Sequence, residues 1–405
     1  MTQKKILRQW MGTRRYVYNR VLAKIKSGEE KPGNDKNLRN KYVTAKNNPE
    51  VAVWETETPK DIRAGAIRDV VKNYTTAFSA LKNKNINKFS LNFSRKKDSP
   101  SIEIPLTAIK ATSIKINRTV GEIEKAKKQA KKDSKISTTR TRIKISKEDK
   151  GVFIYNTIIK DKIKIKNRQL RKPIFIDHDC RLQVKNNNWY LFCPFNASTG
   201  EVPLDREEFC ALDPGTRTFQ TIYSEGKISQ IKMNKDVIKK LYQKIDSLKS
   251  KMDRGMIRRK SCKKRDRKLQ QRLCNLIDDL HHKTAIFLTK NFNTIILPPF
   301  ESQDMVRNNR WSSVNRDILQ LKHYLFQQRL RSKCLLMNCS LILNSEEFTT
   351  QTCGCCGSRY KLGCDEIYNC KNCGLVIDRD VNASRNIFIK YFSETLPVAT
   401  NGCKR

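Results

Sequence analysis

Two kinds of side chain in this sequence could do metal chemistry: a cluster of cysteines and a few carboxylates beside apolar segments. Cys353 and Cys356 form one CxxC pair, Cys370 and Cys373 form another, and a glycine follows each pair. Two such pairs supply the four sulfurs that zinc prefers in tetrahedral geometry, and they leave no position open for a substrate. The sequence therefore predicts a structural Zn²⁺ site in a zinc ribbon over residues 350–376.

The remaining cysteines fit a reduced protein better than a disulfide framework. Eight of the fourteen are scattered singly through apolar or basic segments. Cys355 and Cys364 lie inside the cluster and could each replace one zinc ligand, although the paired spacing favours the CxxC set. We therefore expect an intracellular protein with one zinc site.

Two aspartates lie where catalytic carboxylates often lie in α/β domains. Asp213 ends the apolar segment FCALD, and Asp380 begins a predicted helix whose first turn, DVNAS, is made of small residues. Each has an ordinary alternative, because Asp also forms turns and caps helices. Metal-dependent hydrolysis of a phosphodiester needs several carboxylates around two ions, so a third acid is required. His281 and His282 could suggest a general base, but neighbours on a helix face different directions, so we expect packing or RNA contacts.

Hydrophobic periodicity divides the chain into three predicted domains. Residues 1–90 repeat apolar side chains at helical spacing and predict a helical region. Residues 91–205 alternate apolar and polar side chains as half-buried strands do, and CRLQVKNNNWYLFCPF predicts a hairpin that turns at Asn186–Asn188. Residues 206–405 combine strands and helices, which predicts an α/β domain.

The order of elements in this last domain is also predicted. The expected elements are a strand ending at Asp213, a strand ending at Glu225–Gly226, a helical hairpin over 233–290 interrupted at 253–268, a strand at 294–297, a helix over 314–337, a strand SLILN, the zinc ribbon and a final helix VNASRNIFIKYF. The two candidate aspartates therefore lie on a strand and a helix of the same domain.

The charge balance points to a polyanionic partner. Lys and Arg number 83 against 40 acidic residues, which gives a net charge of +43. Nucleic acid is favoured over an anionic membrane surface, because the chain has no apolar run of about 18 residues, no signal peptide and no lipidation motif.

Basic side chains that share strand faces, and one dense basic run, are predicted to contact phosphates. The predicted contacts are Arg140, Arg142, Lys144, Lys162, Lys164, Lys166, Arg258, Arg259, Lys260, Lys263, Lys264 and Arg265. The lysines on strands could instead keep sheet edges from pairing, and the dense run could act as a nuclear address.

The C-terminal half resembles the RuvC-like nuclease of the TnpB and Fanzor proteins, RNA-guided relatives of type V CRISPR effectors. The matching segments are ALDPGTRTFQTIYSEG, DDLHHKTAIFL, TIILPPF, FTTQTCGCCG and YNCKNCGLVIDRDVNASRNI, in the family's order over residues 209–387. RYVYN and the strand-rich middle resemble the family's recognition and wedge regions more loosely. The details DPG and PPF look more like Fanzor than bacterial TnpB.

This resemblance implies an RNase H-like (RuvC) nuclease domain with a helical insertion and a zinc ribbon. A helical recognition region and a β-barrel wedge domain would precede it. The first metal-binding acid would be Asp213 and the last Asp380. Asp378 is less favoured, because the matching residue directly precedes V-N-A.

The resemblance implies that the third acid has moved, because in most TnpB proteins the strand that matches 294–297 ends in glutamate. The matching residue here is Pro298, which cannot bind metal. Glu301 is nearby, but two prolines and a phenylalanine separate it from the strand. Some family members carry the acid just before the first zinc ligands, and Glu346 matches that position. The strand pleat would point its neighbour Glu347 to the opposite side, so we expect Glu346.

The resemblance implies an RNA-guided DNA endonuclease. A noncoding guide RNA would direct it to double-stranded target DNA beside a short motif, and Asp213, Glu346 and Asp380 would hold two Mg²⁺ ions. We expect a monomeric ribonucleoprotein with no membrane partner, located in the nucleus if the host is eukaryotic. Pro298 leaves open a guided DNA-binding protein without cleavage. An unguided transposon-associated DNA-binding protein is the other alternative.

Overall fold

A computed structural model of the protein divides into two compact units, Met1–Asn196 and Ala197–Arg405. It describes residues 2–44, 51–84, 86–96, 98, 101–117, 139–166, 172–185, 188–195, 203, 205–300, 306, 312–361, 363 and 365–395, without the side chains of 117, 139–141 and 312–314. No helix within these ranges is both long and apolar enough to cross a membrane.

Helices form the first part of the N-terminal unit, as the periodicity predicts. Their bounds are Gln3–Lys26 (α1), Asp35–Tyr42 (α2), Val53–Thr56 (α3) and Lys60–Lys82 (α4). Val17 and Val21 of α1 lie one turn apart, and both pack in one core with Ile67 of α4. The apolar stripe of α1 is therefore the face that the helix buries.

Strands form the second part of this unit. They are Ser101–Ile104 (β1), Ile109–Lys110 (β2), Thr112–Asn117 (β3), Thr139–Ile145 (β4), Gly151–Ile154 (β5), Ile163–Lys164 (β6), Ile174–Ile176 (β7), Cys180–Lys185 (β8) and Asn188–Phe192 (β9). Among the described residues they make three antiparallel sheets, ordered β1–β8–β9, β2–β5–β6 and β3–β4–β7. Strands β8 and β9 form the predicted hairpin, whereas closure of the sheets into a barrel stays a prediction.

The helices and strands of the N-terminal unit share a core. Trp10 of α1 and Ile62 of α4 are buried together with Ile102, Ile143 and Leu182 of the sheets. An ion-pair network supplements this apolar contact, because Asp69 of α4 accepts from Arg14 at 2.5 Å and from Arg181 at 2.7 Å. The region predicted as helical and the region predicted as β-rich therefore fold as one compact unit.

A five-stranded sheet forms the centre of the C-terminal unit. Its strands are Glu207–Asp213 (β10), Gln220–Ser224 (β11), Lys227–Ile231 (β12), Phe292–Leu297 (β13) and Ser340–Leu343 (β14), in the order β12–β11–β10–β13–β14. The first three strands pair antiparallel, whereas β13 runs parallel to both β10 and β14. The carboxyl ends of β10, β13 and β14 therefore meet at one edge of the sheet, where α/β domains usually place their sites.

Strand β12 was missing from the sequence prediction, although the sequence carries its signal. Glu225 and Gly226 join β11 to β12, and both have positive φ, at 40° and 87°. A two-residue turn in which both residues have positive φ is a preferred connection in tight β-hairpins. The acid–glycine pair therefore marks the middle of a hairpin rather than the end of a strand.

The helices of this unit differ from the prediction at two points. Their bounds are Lys235–Asp253 (α5), Arg259–Asn291 (α6), Ser312–Leu321 (α7), His323–Met337 (α8) and Arg379–Thr395 (α9), with the ribbon strands Ile367–Asn369 (β15) and Val376–Asp378 (β16) before α9. The break predicted at 253–268 is shorter, because α5 ends at Asp253, a turn follows at Gly255 (φ 73°), and α6 already begins at Arg259. The single helix predicted over 314–337 is wrong, because Lys322 adopts φ 50° and separates α7 from α8.

Phe219, at the end of the loop that follows Asp213, belongs to an aromatic stack. The ring of Phe219 stacks between His281 and His323, with centroids 5.3 Å from each. Burial lowers the pKa of His281 to about 4 and that of His323 to about 3, so both rings are neutral at pH 7. The Nε2–H of His281 donates to Leu321 O at 2.8 Å, and its Nδ1 accepts from Arg329 at 3.1 Å. His281 is thus a packing residue, as the sequence suggested.

Candidate active site and zinc ribbon

The four cysteines of the two CxxC pairs come together, with all four sulfurs within 4.8 Å of one another. Cys353 Sγ lies 3.6 Å from Cys373 Sγ, and Cys356 Sγ lies 3.5 Å from Cys370 Sγ. Tetrahedral zinc with Zn–S bonds of about 2.3 Å spaces its sulfurs by roughly 3.8 Å. The arrangement therefore fits a closed, structural zinc site.

Each CxxC pair and the glycine that follows it form a tight turn, here called a knuckle, and its backbone geometry is specific. Gly357 and Gly374 adopt φ values of 74° and 71°, in the region that favours glycine. Their N–H groups donate to Cys353 O and Cys370 O, both at 3.0 Å. Cys355 is exposed and stands outside the four-sulfur group. Cys364 lies outside the described residues.

The three predicted acids lie on three separate segments near the edge of the sheet where β10, β13 and β14 end. Asp213 is the last residue of β10, Glu346 follows the end of β14, and Asp380 is the second residue of α9. Burial, followed by the charges of Asp380 and Glu346, raises the pKa of Asp213 well above its usual range. Carboxylates that repel in this way favour a divalent cation as counter-ion, and oxygen donors suit Mg²⁺.

The strand register explains how an acid on β14 reaches this site. Ala211 of β10 pairs with Ile296 of β13, so two residues further along Asp213 is level with Pro298. The next strand continues the pattern, because Asn344 N donates to Leu297 O at 3.3 Å. Glu346 lies only two residues beyond Asn344. Pro298 offers no carboxylate at this edge of the sheet, but Glu346 on the neighbouring segment therefore does.

The neighbouring acids are placed differently. Glu346 is half-buried, whereas Glu347 is exposed. Asp378 is also exposed, and its Oδ1 accepts from Asp380 N at 2.9 Å and from Val381 N at 3.2 Å. These bonds make Asp378 the N-cap of α9, which satisfies two backbone donors of the first turn. Glu301 lies outside the described residues.

Arg217 is a site residue that sequence reasoning missed. It lies in the loop between β10 and β11, and its Nη2 is 3.6 Å from Asp380 Oδ1. Its Nη1 forms an ion pair with Glu366, which precedes β15 of the ribbon. Arg217 therefore partly offsets the carboxylate charge and joins the loop to the ribbon. Charge alone could not single it out among the many basic residues of the chain.

The predicted phosphate contacts differ in exposure. Arg142 donates to both carboxylate oxygens of Asp177, at 2.6 and 2.9 Å, so its charge is used within the protein. Lys144 is half-buried, and the Arg140 side chain lies outside the described residues. The other predicted contacts are exposed, namely Lys162, Lys164, Lys166, Arg258, Arg259, Lys260, Lys263, Lys264 and Arg265. Most of the dense run occupies the first turns of α6.

Two protein-family profiles match parts of the chain. The profile described as "Cas12f1-like, TNB domain" matches residues 323–387, which include the ribbon and the start of α9. The profile described as "Helix-turn-helix domain", of the OrfB_IS605 type, matches residues 1–30. In the structure a single helix, α1, spans most of the second match.

Several viral and bacterial proteins are similar in sequence. A protein of Paramecium bursaria Chlorella virus 1, named "Putative transposase", is 26% identical over 96% of this chain and 84% of its own length. A TnpB-like protein of Acanthamoeba polyphaga mimivirus is 31% identical over 53% of this chain, which spans only 44% of that protein. A Streptomyces pristinaespiralis protein named "Putative RNA-guided DNA endonuclease" is 26% identical over 34% of each chain.

A solved structure also aligns along most of the chain. It is the cryo-EM structure of a Cas12f1–sgRNA–target DNA complex, with 17% sequence identity and a TM-score of 0.35. The alignment covers 95% of this chain and 94% of that chain.

Zinc binding should depend on the four paired cysteines and not on Cys355. We expect the purified protein to hold one equivalent of zinc by elemental analysis and Cys370→Ser to lose it. The loss should destabilise the ribbon strongly, because structural zinc binds with roughly 10–16 kcal/mol in small zinc domains. The matched control Cys355→Ser should keep its zinc, and its loss in that variant would contradict the ligand set.

Asp213→Asn should stabilise the metal-free protein. Because folding raises the pKa of Asp213, the folded chain favours its ionised form less than the unfolded chain does, and this difference costs folding free energy at neutral pH. The cost is present above the raised pKa and vanishes at pH values below the pKa of the unfolded chain. In EDTA the variant should therefore melt at a higher temperature than wild type, as measured by calorimetry.

The same variant should lose the rise in melting temperature that Mg²⁺ causes in wild type. Asp378→Asn is the matched control, because Asn caps helices as well as Asp does and should keep the Mg²⁺ response. An equal Mg²⁺ response in wild type and Asp213→Asn would show that the cation binds elsewhere.

Proposed function

Because this chain belongs to the TnpB-like family, we propose that it is an RNA-guided DNA endonuclease with a metal-dependent active site. The observation that carries the proposal is the convergence on Asp213 of charges from Glu346 and Asp380, at the edge where three parallel strands end. One relative is named "Putative RNA-guided DNA endonuclease", which supports the same proposal. The high positive charge of the chain also suits two nucleic-acid partners.

The architecture of the C-terminal unit supports an RNase H-like (RuvC) assignment. An antiparallel meander, β12–β11–β10, continues into two parallel strands, and α9 packs on the sheet through Ile387 against Ala211 and Ile296. The helical pair α5–α6 is the insertion and the cysteine knuckles are the zinc ribbon. Residues 1–90 would form the recognition region and residues 91–205, most of which belong to the N-terminal unit, the wedge.

In the proposed site Asp213, Glu346 and Asp380 hold two Mg²⁺ ions. When bound, such ions activate a water molecule and stabilise the leaving 3′ oxygen of a phosphodiester. The chain's own contribution is placement. The end of β10 fixes Asp213, and the Asp378 cap fixes the first turn of α9 that carries Asp380. The positive end of that helix also favours an ionised carboxylate.

The proposed partners are a noncoding guide RNA and double-stranded target DNA. Base pairing would carry the sequence recognition, while the protein would contact backbone phosphates through its exposed basic side chains, most densely on the first turns of α6. Binding of both partners should weaken steeply with salt. We further propose a monomeric ribonucleoprotein of the Fanzor-like branch, which would act in the nucleus of a eukaryotic host.

A guided DNA-binding protein without cleavage is the second candidate. Pro298 favours it, because this position of β13 is level with Asp213 and offers no carboxylate. The placement of Glu346 beside that position supports the endonuclease instead. The two candidates differ in whether the bound target DNA is cut.

A cleavage assay on matched variants tests the proposal. The protein would be coexpressed with the DNA that flanks its gene, purified with its RNA, and incubated with target plasmid in Mg²⁺. We expect Glu346→Gln to slow cleavage by more than about 100-fold, since loss of residues that merely support metal ligands already costs about 10–100-fold. Glu347→Gln and Glu301→Gln should cleave like wild type.

The outcomes of this assay separate the candidates. Cleavage by Glu346→Gln at the wild-type rate would refute the assignment of the third acid. RNA-dependent binding of the target with no cleavage by any form would favour the guided DNA-binding protein. Purification without a defined RNA would favour an unguided transposon-associated protein.

A further inference from the structure

Two buried asparagines on one face of α9 attach this helix to the ribbon. Asn382 Nδ2 donates to Thr352 O at 2.7 Å, and its Oδ1 accepts from Gly354 N at 3.0 Å. Asn386 Nδ2 donates to Thr349 O at 2.8 Å and to Thr352 O at 2.6 Å. The two asparagines are only 0% and 7% exposed, so each bond forms away from competing water.

These contacts flank a zinc ligand. Thr352 and Gly354 are the residues on either side of Cys353, so zinc binding fixes the backbone that the asparagines contact. The fit is close, because a Cβ on Gly354 would lie 3.0 Å from Asn382 Oδ1 and 3.1 Å from Asn386 Oδ1. The absence of a side chain at Gly354 thus allows the knuckle to lie directly on α9.

The same contacts lead to the third acid. Glu346 O accepts from Thr349 N at 3.2 Å and from Thr349 Oγ1 at 2.8 Å. Thr349 is buried, and its carbonyl is one of the two that Asn386 binds. Asp380 lies six residues before Asn386 on the same helix. Asn386 therefore connects the turn that carries Glu346 to the helix that carries Asp380.

We propose that Asn386 is a positioning residue for the carboxylate site, so that zinc in the ribbon sets the affinity of this site for divalent cations. The proposal rests on the proposed metal site of Asp213, Glu346 and Asp380. Without the Asn386 amide, the buried Thr349 O loses its side-chain donor and Thr352 O keeps only that of Asn382, so the turn that carries Glu346 loses its attachment to α9. Metal ligands must be held within about 0.5 Å of their working positions, so a small shift of this turn weakens binding.

Binding of Mn²⁺ to the full chain, followed by electron paramagnetic resonance, tests this inference without relying on cleavage. Bound nucleic acid is first removed at high salt, because phosphates also bind Mn²⁺. We expect Asn386→Ala to weaken Mn²⁺ binding by about 10–100-fold, as is typical when groups that support metal ligands are removed. Thr349→Val should have a smaller effect in the same direction, because it removes only the side-chain bond to Glu346 O.

Two controls accompany these variants. Thr350→Val makes the same chemical change at an exposed neighbour and should bind Mn²⁺ like wild type. Zinc content is measured in every sample, since the inference concerns the attachment rather than loss of the ribbon. Removal of zinc from wild type should weaken Mn²⁺ binding at least as much as Asn386→Ala does. If Asn386→Ala loses its zinc, Thr349→Val decides the question.

Wild-type Mn²⁺ affinity in Asn386→Ala and Thr349→Val, with zinc retained, would overturn the inference. A failure of the proposed function has a different signature. If Asp213→Asn binds Mn²⁺ as wild type does, the carboxylates are not the metal site and the inference fails with it. If Asn386→Ala weakens Mn²⁺ binding while the wild-type complex never cuts DNA, the positioning role is supported and the endonuclease proposal fails.

Discussion

Repulsion between carboxylates is the constraint on which the rest of this site depends. Burial and the charges of two neighbouring acids raise the pKa of Asp213, so ionising these carboxylates together in the folded chain costs free energy. Rigid elements of the fold must therefore hold these carboxylates in place. Asp213 ends a central strand, the N-cap Asp378 fixes the turn of Asp380, and Arg217 partly offsets the charge of Asp380. A divalent cation would neutralise these negative charges, so the same carboxylates that repel one another would bind it favourably.

Parallel strands make it possible for one acid of such a site to move. The carboxyl ends of β10, β13 and β14 lie at one edge, so a carboxylate after β14 can reach the region that a residue after β13 would reach. Pro298 ends β13 without a carboxylate, while Glu346 follows the adjacent strand. The move has a structural requirement, because the turn after β14 must be held as firmly as a strand end. The buried amide of Asn386 supplies that attachment through Thr349.

Local spacing made part of this site predictable. The clustering of four cysteines follows from two CxxC pairs, and the ends of apolar segments drew attention to Asp213 and Asp380. The choice of Glu346 required a resemblance to known proteins, because its proposed role depends on strand register. Arg217 and Asn386 were missed, since their contacts join segments that are distant in sequence. The break at Lys322 was missed because a positive φ at lysine has no local signal.

Anomalous X-ray scattering from Mn²⁺ would test the central claim most directly. Crystals would contain the protein with its guide RNA and a target DNA whose scissile phosphate resists cleavage. Two manganese peaks coordinated by carboxylate oxygens of Asp213, Glu346 and Asp380 are the predicted result. Manganese bound by Asp213 and Asp380 without Glu346, or coordinated by Glu301 or Glu347 instead, would contradict the account.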